Sequence, residues 1–217
     1  MVPPATAQRD RPSLVEVAGR ARPVILAGER RLVVPGPVGD LVPGGGLQRG
    51  TVVAVEGTAG AGRASLVLVL LAAATAAGEW AAVVDTGGTF GGLAAVEAGV
   101  ALERLAVVRG VGPDRFGSVV ATLLEGVSVV AMTVPQRLPV ADARRLVARA
   151  RERDAVLVAA GGWPGEAALR LRAEGSAWSG LGRGEGLLGP RTLRVAVAGR
   201  GAAARERTAE VPLRAAS

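Results

Sequence analysis

The architecture of this chain depends on the segment Glu56-Gly57-Thr58-Ala59-Gly60-Ala61-Gly62-Arg63-Ala64-Ser65-Leu66. The apolar run before it, residues 51–55, predicts a buried strand, and the apolar run after it, residues 66–74, predicts a buried helix. A strand, a glycine-rich turn and a helix in this order are the setting of a phosphate-binding loop. The segment therefore predicts an α/β fold in which the turn joins a core strand to a buried helix.

The motif of the phosphate-binding loop is present only in part. Gly57 and Gly62 have the spacing of its two anchoring glycines, but Arg63 stands where the motif has Lys and Ala64 where it has Ser or Thr. Arginine keeps the positive charge, yet its planar guanidinium does not replace the compact ammonium group of Lys. The degenerate nucleotide-binding loop consists of Gly57, Thr58, Ala59, Gly60, Ala61, Gly62, Arg63, Ala64 and Ser65.

Beyond the helix that follows this loop, apolar runs alternate with helical patterns up to residue 160. The predicted strands are residues 80–85, 105–108, 127–132 and 155–160. The predicted helices are residues 93–100, 114–125 and 141–154. Strands that are apolar throughout and separated by helices are typical of a parallel sheet that is covered on both faces.

The pattern then changes to a period of two. Residues 168–173, 192–197 and 208–213 alternate apolar and polar side chains, which predicts antiparallel strands with one wet face. We expect the glycine-rich residues 180–189 to form a surface loop between two of these strands.

The N-terminal residues are expected to differ from the core. Residues 1–12 are rich in proline and polar side chains and are predicted to be disordered, and residues 13–20 are predicted to form a short helix. Residues 32–37 predict an edge strand, because prolines exclude a central one. We therefore divide the chain into an N-terminal segment, residues 1–40, and a core domain, residues 41–217.

Composition excludes several kinds of chemistry. The 217 residues include no Cys and no His, so disulfides, thiol nucleophiles and a His general base are excluded and a metal site is not expected. All 26 basic residues are Arg, against 19 acidic residues, which gives a net charge of +7. That charge favours either a polyanionic or acidic partner or an ordinary arginine-rich surface.

The sequence also bears on location. The start of the chain lacks the basic and apolar regions of a secretory signal, and the apolar run 65–77 is too short to span a bilayer. We expect a cytoplasmic protein without membrane contact, for which association with the nucleoid is an alternative.

The order of these elements resembles the RecA recombinase family over residues 44 to about 132. The features that carry this likeness are the glycine-rich residues 44–50 before the first core strand, the glycine-rich loop with its helix, and the next strand, which ends in Asp85. The C-terminal part is similar to the RecA-like accessory proteins of the actinobacterial mutasome (ImuA-type, SulA-like). The segments that carry this second likeness are Gly162–Gly165, Trp178–Gly182, Gly186–Leu188 and Gly199–Gly201. The resemblance implies a RecA-like core, with a mostly parallel central sheet flanked by helices and antiparallel strands at its C-terminal end.

Besides Arg63, the chain departs from active members of that family at four points. Ala64 offers no oxygen to Mg²⁺, and the hydroxyl of Ser65 comes one residue late. The resemblance would place the general-base Glu near Gly87, the Asp that orients the metal-bound water at residues 131–133, and the nucleotide-sensing Gln near Gly161. None of these positions carries the required side chain, so we expect no ATPase activity and no bound cofactor, with ATP and Mg²⁺ as the open alternative.

The resemblance implies a non-catalytic adaptor or scaffold in translesion synthesis and induced mutagenesis, within the SOS response to DNA damage. The implied partners are an inactive homologue of the Y-family polymerases and, through it, a C-family error-prone polymerase and the sliding clamp. Two alternatives remain open. One is a nucleotide-gated protein in which Arg63 and Ser65 replace the Lys and the metal ligand, and the other is a module that binds DNA through the arginine-rich helix 141–154.

The candidates for contact with DNA or a partner are Arg137, Arg144, Arg145, Arg149, Arg151, Trp163 and Trp178. The arginines of helix 141–154 form either a basic face or an ordinary solvated face. Trp163 either stacks on a base or caps the end of the sheet, and Trp178 either anchors a partner or covers a sheet edge. Trp80 opens a predicted strand and is expected in the core.

Overall fold

A computed structural model describes residues 31–58, 60–180 and 189–213. The expectations of disorder over residues 1–12 and of a helix over residues 13–20 lie outside these ranges. So do Ala59, most of the glycine-rich loop 180–189, and the segment Gly186–Leu188.

The described residues form ten strands, five α-helices and three short 3₁₀ segments. The strands are β1 (Arg31–Val33), β2 (Gly46–Gln48), β3 (Val52–Gly57), β4 (Ala81–Asp85), β5 (Leu105–Arg109), β6 (Val129–Thr133), β7 (Val156–Ala160), β8 (Leu169–Trp178), β9 (Arg191–Gly199) and β10 (Arg207–Leu213). The helices are α1 (Pro37–Leu41), α2 (Arg63–Ala76), α3 (Gly92–Glu97), α4 (Pro113–Leu123) and α5 (Val140–Glu152). The 3₁₀ segments are Pro43–Gly45, Leu102–Arg104 and Gly201–Ala203.

Eight strands form one sheet in the order β10-β9-β8-β3-β7-β6-β4-β5. The strands from β8 to β5 all run parallel, whereas β9 pairs antiparallel with both β8 and β10. The strand that leads into the glycine-rich loop, β3, therefore has parallel neighbours on both sides. A mostly parallel sheet with flanking helices and antiparallel C-terminal strands is confirmed.

Helices cover both faces of the parallel part of this sheet. On one face, Leu66 and Leu70 of α2 pack in a buried cluster with Val53 and Val55 of β3. On the other face, helices α4 and α5 form a second cluster with the alternate residues of the same strands, including Val52 and Ala54. Successive side chains of a strand point to opposite faces, so strands that are apolar throughout are required for two such cores.

Helix α3 ends earlier than its apolar pattern predicts. The prediction covered residues 93–100, but the helix stops at Glu97 because Gly99 adopts φ 85°. The N–H groups of Gly99 and Val100 then bond to the carbonyl oxygens of Val96 and Ala95. This arrangement is a glycine-terminated helix end, which satisfies the last carbonyl groups.

The direction of β8 differs from the prediction for residues 168–173. β8 is antiparallel to β9, but it runs parallel to β3, with Leu171 beside Val55. Alternation of apolar and polar residues shows that one face of a strand is exposed to solvent, but it does not show in which direction the strand runs.

The connection from β7 to β8, residues 161–168, explains this direction. It contains no helix and crosses the sheet on the side of α4 and α5, where Trp163 and Ala167 are buried. Its eight residues, when extended, reach about 26 Å, which is longer than the five-residue strand β7. The connection can therefore return from the carboxyl end of β7 to the opposite edge of the sheet, where a parallel strand has to begin.

The residues before the glycine-rich loop pack on the same core. β1 pairs with β2 in a separate two-stranded sheet, and Pro37 begins helix α1. The prediction of an edge strand over residues 32–37 was therefore wrong beyond Val33, because Pro37 occupies a favourable position in the first turn of a helix. Leu32 and Val38 join the buried cluster that contains α2, so residues 32–42 and the core share one apolar interior.

None of the helices in the described ranges combines the length and apolar character needed to cross a bilayer.

Candidate functional site

The glycine-rich loop leaves the carboxyl end of β3, which is the edge of a parallel sheet where ligands bind in open α/β folds. Gly57 has φ 143° and Gly62 has φ 112°, both in the region that favours glycine. A Cβ on Gly62 would lie 2.4 Å from Cδ2 of Leu193, and one on Gly57 would lie 2.9 Å from the carbonyl oxygen of Ala173. These two glycines are required by the close packing of β8 and β9 against the loop, whether or not a ligand binds.

Arg63, at the position of the motif's Lys, turns back onto the loop. Its Nη1 donates a hydrogen bond of 3.4 Å to the carbonyl oxygen of Gly57. Ala64 is exposed, and helix α2 has no side-chain hydrogen bond capping its N-terminus. The guanidinium group thus contacts the chain itself, while the first turn of α2 keeps unpaired N–H groups of the kind that attract anions.

A second arginine, which lies on an antiparallel strand, also bonds to the glycine-rich loop. Arg191, the first residue of β9, donates from Nη2 to the carbonyl oxygen of Gly60 and to Oγ of Ser176, both at 2.9 Å. Its guanidinium carbon lies 5.5 Å from the ring centre of Trp178. Its Nε is buried and has no hydrogen-bond partner among the described residues.

The sequence did not predict this role for Arg191. The period-two pattern identified the strand, but Arg191 reaches Gly60 across 131 positions of sequence, and no local pattern reports such a contact. Only the adjacency of β3, β8 and β9 in the sheet brings the two residues together.

Asp85 ends β4 at the same edge of the sheet and is 2% exposed. Its carboxylate accepts hydrogen bonds from the backbone N–H of Thr89 at 3.0 Å and of Phe90 at 2.9 Å, and from Nε of Arg109 at 3.4 Å. Burial acts to raise the pKa of Asp85, but the two backbone donors and the guanidinium outweigh it and hold that pKa below its ordinary value. The carboxylate is therefore occupied in closing the turn before α3.

The other positions that the resemblance assigned to catalysis offer little chemistry at this edge. Gly87 lies in the turn after β4 and has no side chain to act as a base. β6 ends in Met132, which is buried, and Thr133, whose carbonyl oxygen accepts a weak bond of 3.5 Å from Thr86. Gly161 follows β7 with φ 109°. In the described ranges, no three carboxylates come together as a candidate metal site.

The three tryptophans have different environments. Trp163 is 5% exposed, packs in the cluster with α4 and α5, and donates from Nε1 to the carbonyl oxygen of Glu166 at 3.3 Å. Because it is buried on the sheet face that carries α4 and α5, little of its ring is exposed to stack on a base. Trp178 is 51% exposed beside Arg191.

Trp80 is also 51% exposed, so the prediction that it lies in the core was wrong. It precedes β4, and its carbonyl oxygen accepts a bond from the N–H of Ser128, but its ring lies outside the sheet. The amino end of the parallel strands therefore exposes one tryptophan and the carboxyl end exposes another.

Helix α5 carries fewer free cations than its sequence suggests. Arg149 forms an ion pair with Glu152 at 2.9 Å and another with Glu125 of the α4–β6 connection, and Arg153 also pairs with Glu125. The hydrogen bond to Glu152 and the charge of Glu125 raise the pKa of Arg149 above its ordinary value. These arginines fix α5 to the neighbouring connection.

The remaining candidate arginines lie on the surface. Arg145 pairs with Asp142 one helical turn before it, at 3.2 Å. Arg137, Arg144 and Arg151 are exposed and make no ion pair within the described part of the chain. The structure does not bring these residues together with the glycine-rich loop into one site.

Comparison with known proteins gives two findings. Residues 40–165 match the model of the MT3502 N-terminal domain. The uncharacterized protein Rv3395c of Mycobacterium tuberculosis (strain ATCC 25618 / H37Rv) is 40% identical over 148 residues, which cover 66% of this chain and 69% of that protein. The matched domain contains the glycine-rich loop, Asp85 and α5, and it ends before Trp178 and Arg191.

Proposed function

The chain belongs to the MT3502 N-terminal domain family, and we propose that it is a non-catalytic adaptor with a RecA-like core that acts in DNA-damage-induced translesion synthesis. In this proposal its partners are an inactive homologue of the Y-family polymerases and, through it, a C-family error-prone polymerase and the sliding clamp. The likeness of its sequence to the mutasome accessory proteins supports the choice of partners.

The architecture supports a RecA-like core. The glycine-rich loop connects the parallel strand β3 to the buried helix α2, the next strand ends in Asp85, and antiparallel strands close the C-terminal side of the sheet. These are the features by which the sequence resembles that family.

The single observation that carries the adaptor function is that two guanidinium groups, those of Arg63 and Arg191, bond to carbonyl oxygens of the loop itself. Arg63 is directed to the carbonyl oxygen of Gly57, and Arg191 to that of Gly60. In an active site, cationic groups must be aimed at the charge that develops on the phosphates. Here they hold the loop and its neighbouring strands together, and Ala64 supplies no hydroxyl for a metal ion.

The nucleotide experiment compares the natural protein with Arg63→Lys/Ala64→Thr, which restores the motif. We expect no binding of a labelled ATP analogue with Mg²⁺ by the natural protein up to millimolar nucleotide. Binding by the double variant would show that the assay detects nucleotide when the motif of the phosphate-binding loop is complete. Micromolar binding by the natural protein, or ATP hydrolysis that falls in Arg63→Ala, would contradict the adaptor function.

The partner experiment uses the two tryptophans as a matched pair, because each is 51% exposed and they lie at opposite ends of the parallel strands. We expect Trp178→Ala to weaken capture of the Y-family homologue at least tenfold, since an exposed tryptophan beside an arginine is a typical interface anchor. Trp80→Ala should leave capture unchanged. Equal effects of the two substitutions would place the docking surface elsewhere.

Nucleotide binding is the second candidate, and two features of the loop favour it. Nε of Arg191 is buried without a partner in the described part of the chain, and α2 lacks a side-chain cap. An anion at the N-terminus of α2 would satisfy such donors. A thermal shift with ATP that is abolished in Arg191→Ala would support this function.

DNA binding through α5 has weaker support. Arg145, Arg149 and Arg153 are paired with carboxylates, which leaves few cations free to replace the counterions of DNA. Affinity for DNA that falls steeply with salt and is lost in Arg144→Glu/Arg151→Glu would favour it.

A further inference from the structure

The two edges of the main sheet are built differently. β10, at one edge, carries Arg207, Glu210 and Pro212, and helix α1 packs beside it. Charges and proline in an edge strand hinder its pairing with another chain. β5, at the other edge, has four apolar residues before Arg109, contains no proline, and has no strand on its outer side among the described residues.

Apolar side chains lie exposed next to this bare strand. We define the edge patch as Leu93 and Val96 of α3, Leu102 of the following 3₁₀ segment, and Val107 of β5, whose exposed fractions are 75%, 47%, 42% and 39%. Val107 lies beside Val83, which belongs to the cluster with α2, so Val107 projects from the sheet face that carries α2 and α3. Exposed apolar side chains that form one patch are typical of an interaction surface, and the dimer test below decides whether these four residues do so.

The charges at the two ends of β5 are complementary under a two-fold rotation. Glu103 precedes the strand and Arg109 ends it, and both are exposed. If two copies of β5 pair antiparallel with Ala106 opposite Ala106, Arg109 of each copy lies at the end where the 3₁₀ segment with Glu103 enters the other copy's strand. Arg109 already bonds to Asp85 and to the carbonyl oxygen of Phe90, and its guanidinium stays exposed enough to face a second carboxylate. The same register sets Leu105 opposite Val107 and opposes no like charges, so each cross-strand pair is favourable or neutral.

We propose that a second copy of this chain pairs with β5 in this register across a two-fold axis perpendicular to the sheet. The two sheets then become continuous, and the two edge patches meet on one face. Such an interface is isologous and closed, which is the commonest symmetry of soluble homo-oligomers. The inference is independent of the adaptor function, because it uses neither the glycine-rich loop nor Trp178.

The first test is the molar mass of the purified full chain, measured by light scattering over a hundredfold range of concentration. We expect a dimer, and we expect Val107→Glu to halve the mass because it brings carboxylates into the apolar contact. Val33→Glu is the matched control, since Val33 is 66% exposed on β1 and lies away from β5. A natural protein that remains monomeric throughout, or a Val107→Glu variant that remains dimeric, would overturn the proposal.

The second test reports the register and does not depend on a disruptive substitution. Because the natural chain has no cysteine, Ala106→Cys introduces one thiol per copy. Directly opposed residues have Cα atoms about 4.5–5.5 Å apart, within the range of a disulfide, whereas diagonal ones lie about 7–8 Å apart.

We therefore expect mild oxidation to convert Ala106→Cys into a covalent dimer at least ten times faster than Val107→Cys or the α5 control Val140→Cys. Equal rates for all three variants would overturn the proposed pairing.

Discussion

Arg191 and Gly60 are joined by a hydrogen bond of 2.9 Å from Nη2 to the loop carbonyl oxygen, although 131 positions of sequence separate them. The bond connects the first residue of the antiparallel strand β9 to the turn that follows the parallel strand β3. The conformation of the glycine-rich loop therefore depends on the C-terminal strands as well as on its own glycines.

We expect Arg191→Ala to loosen this loop selectively. It removes the hydrogen bonds to Gly60 and to Ser176. Because both bonds are exposed to water, the loss of stability should be about 1 kcal/mol. Amide hydrogen exchange should accelerate several-fold between β3 and α2 and remain unchanged in β6 and β7. The measurement is native-state exchange followed by mass spectrometry.

Arg194→Ala provides the control for this effect. Arg194 lies on the same strand and is 67% exposed. Its ion pair with Glu174 is weak, because the two charged groups are 3.9 Å apart. Its replacement should change neither exchange in the loop nor stability by more than a few tenths of a kcal/mol. Equal acceleration in both variants would mean that Arg191 does not hold the loop.

The loop glycines offer a second prediction, because Gly60 and Gly62 both have positive φ but lie in different surroundings. Both have positive φ, of 80° and 112°, but a Cβ on Gly60 meets no atom within 4 Å, whereas one on Gly62 lies 2.4 Å from Cδ2 of Leu193. We expect Gly60→Ala to cost about 1 kcal/mol of backbone strain. Gly62→Ala should cost about 2–4 kcal/mol, since strain and overpacking add.

Chemical denaturation of both variants measures these costs. The combination of Gly62→Ala with Leu193→Ala separates the two causes, because removal of the Leu193 side chain relieves the clash and leaves the strain. A double variant that is as unstable as the sum of the single ones would show that contact with Leu193 is not the reason for glycine at position 62.

Asp85 predicts how stability depends on pH. Burial acts to raise the pKa of Asp85, but the N–H groups of Phe90 and Thr89 and the guanidinium of Arg109 outweigh it, so the pKa in the folded protein lies below its ordinary value. A lowered pKa means that the stabilisation is fully present above the ordinary value and is lost as pH falls through the folded-state pKa. Asp85→Asn cannot accept all three bonds and should cost about 2 kcal/mol at neutral pH.

The measurement is thermal unfolding of the natural protein and Asp85→Asn at pH 7 and at pH 3. We expect the difference between them to shrink at the lower pH, because there the unfolded natural chain takes up a proton at Asp85 that the folded carboxylate resists, and part of the stabilisation by the charge is lost. Asp114→Asn, at an exposed position in α4, should show no such convergence. A constant difference at both pH values would indicate that the charge of Asp85 does not stabilise the turn.

Most of the parallel sheet was predictable from the sequence, because a strand buried on both faces must be apolar throughout. Alternation along residues 168–173 identified a wet face, but the direction of β8 depends on how residues 161–168 cross the sheet, which no local pattern specifies. The glycine-rich loop was predicted from its spacing. The contact of Arg191 with it was not, since strand order alone brings them together.

The tryptophans provide the last prediction, and they show that residue type alone does not decide burial. Trp163, considered for base stacking, is 5% exposed, whereas Trp80, expected in the core, is 51% exposed. We expect Trp163→Ala to cost about 3–5 kcal/mol, because it leaves a cavity in the buried cluster with α4 and α5 and removes the bond to the carbonyl oxygen of Glu166. Trp80→Ala should change stability by less than about 0.5 kcal/mol. Denaturant unfolding followed by circular dichroism measures both, and similar costs for the two substitutions would contradict the environments described for them.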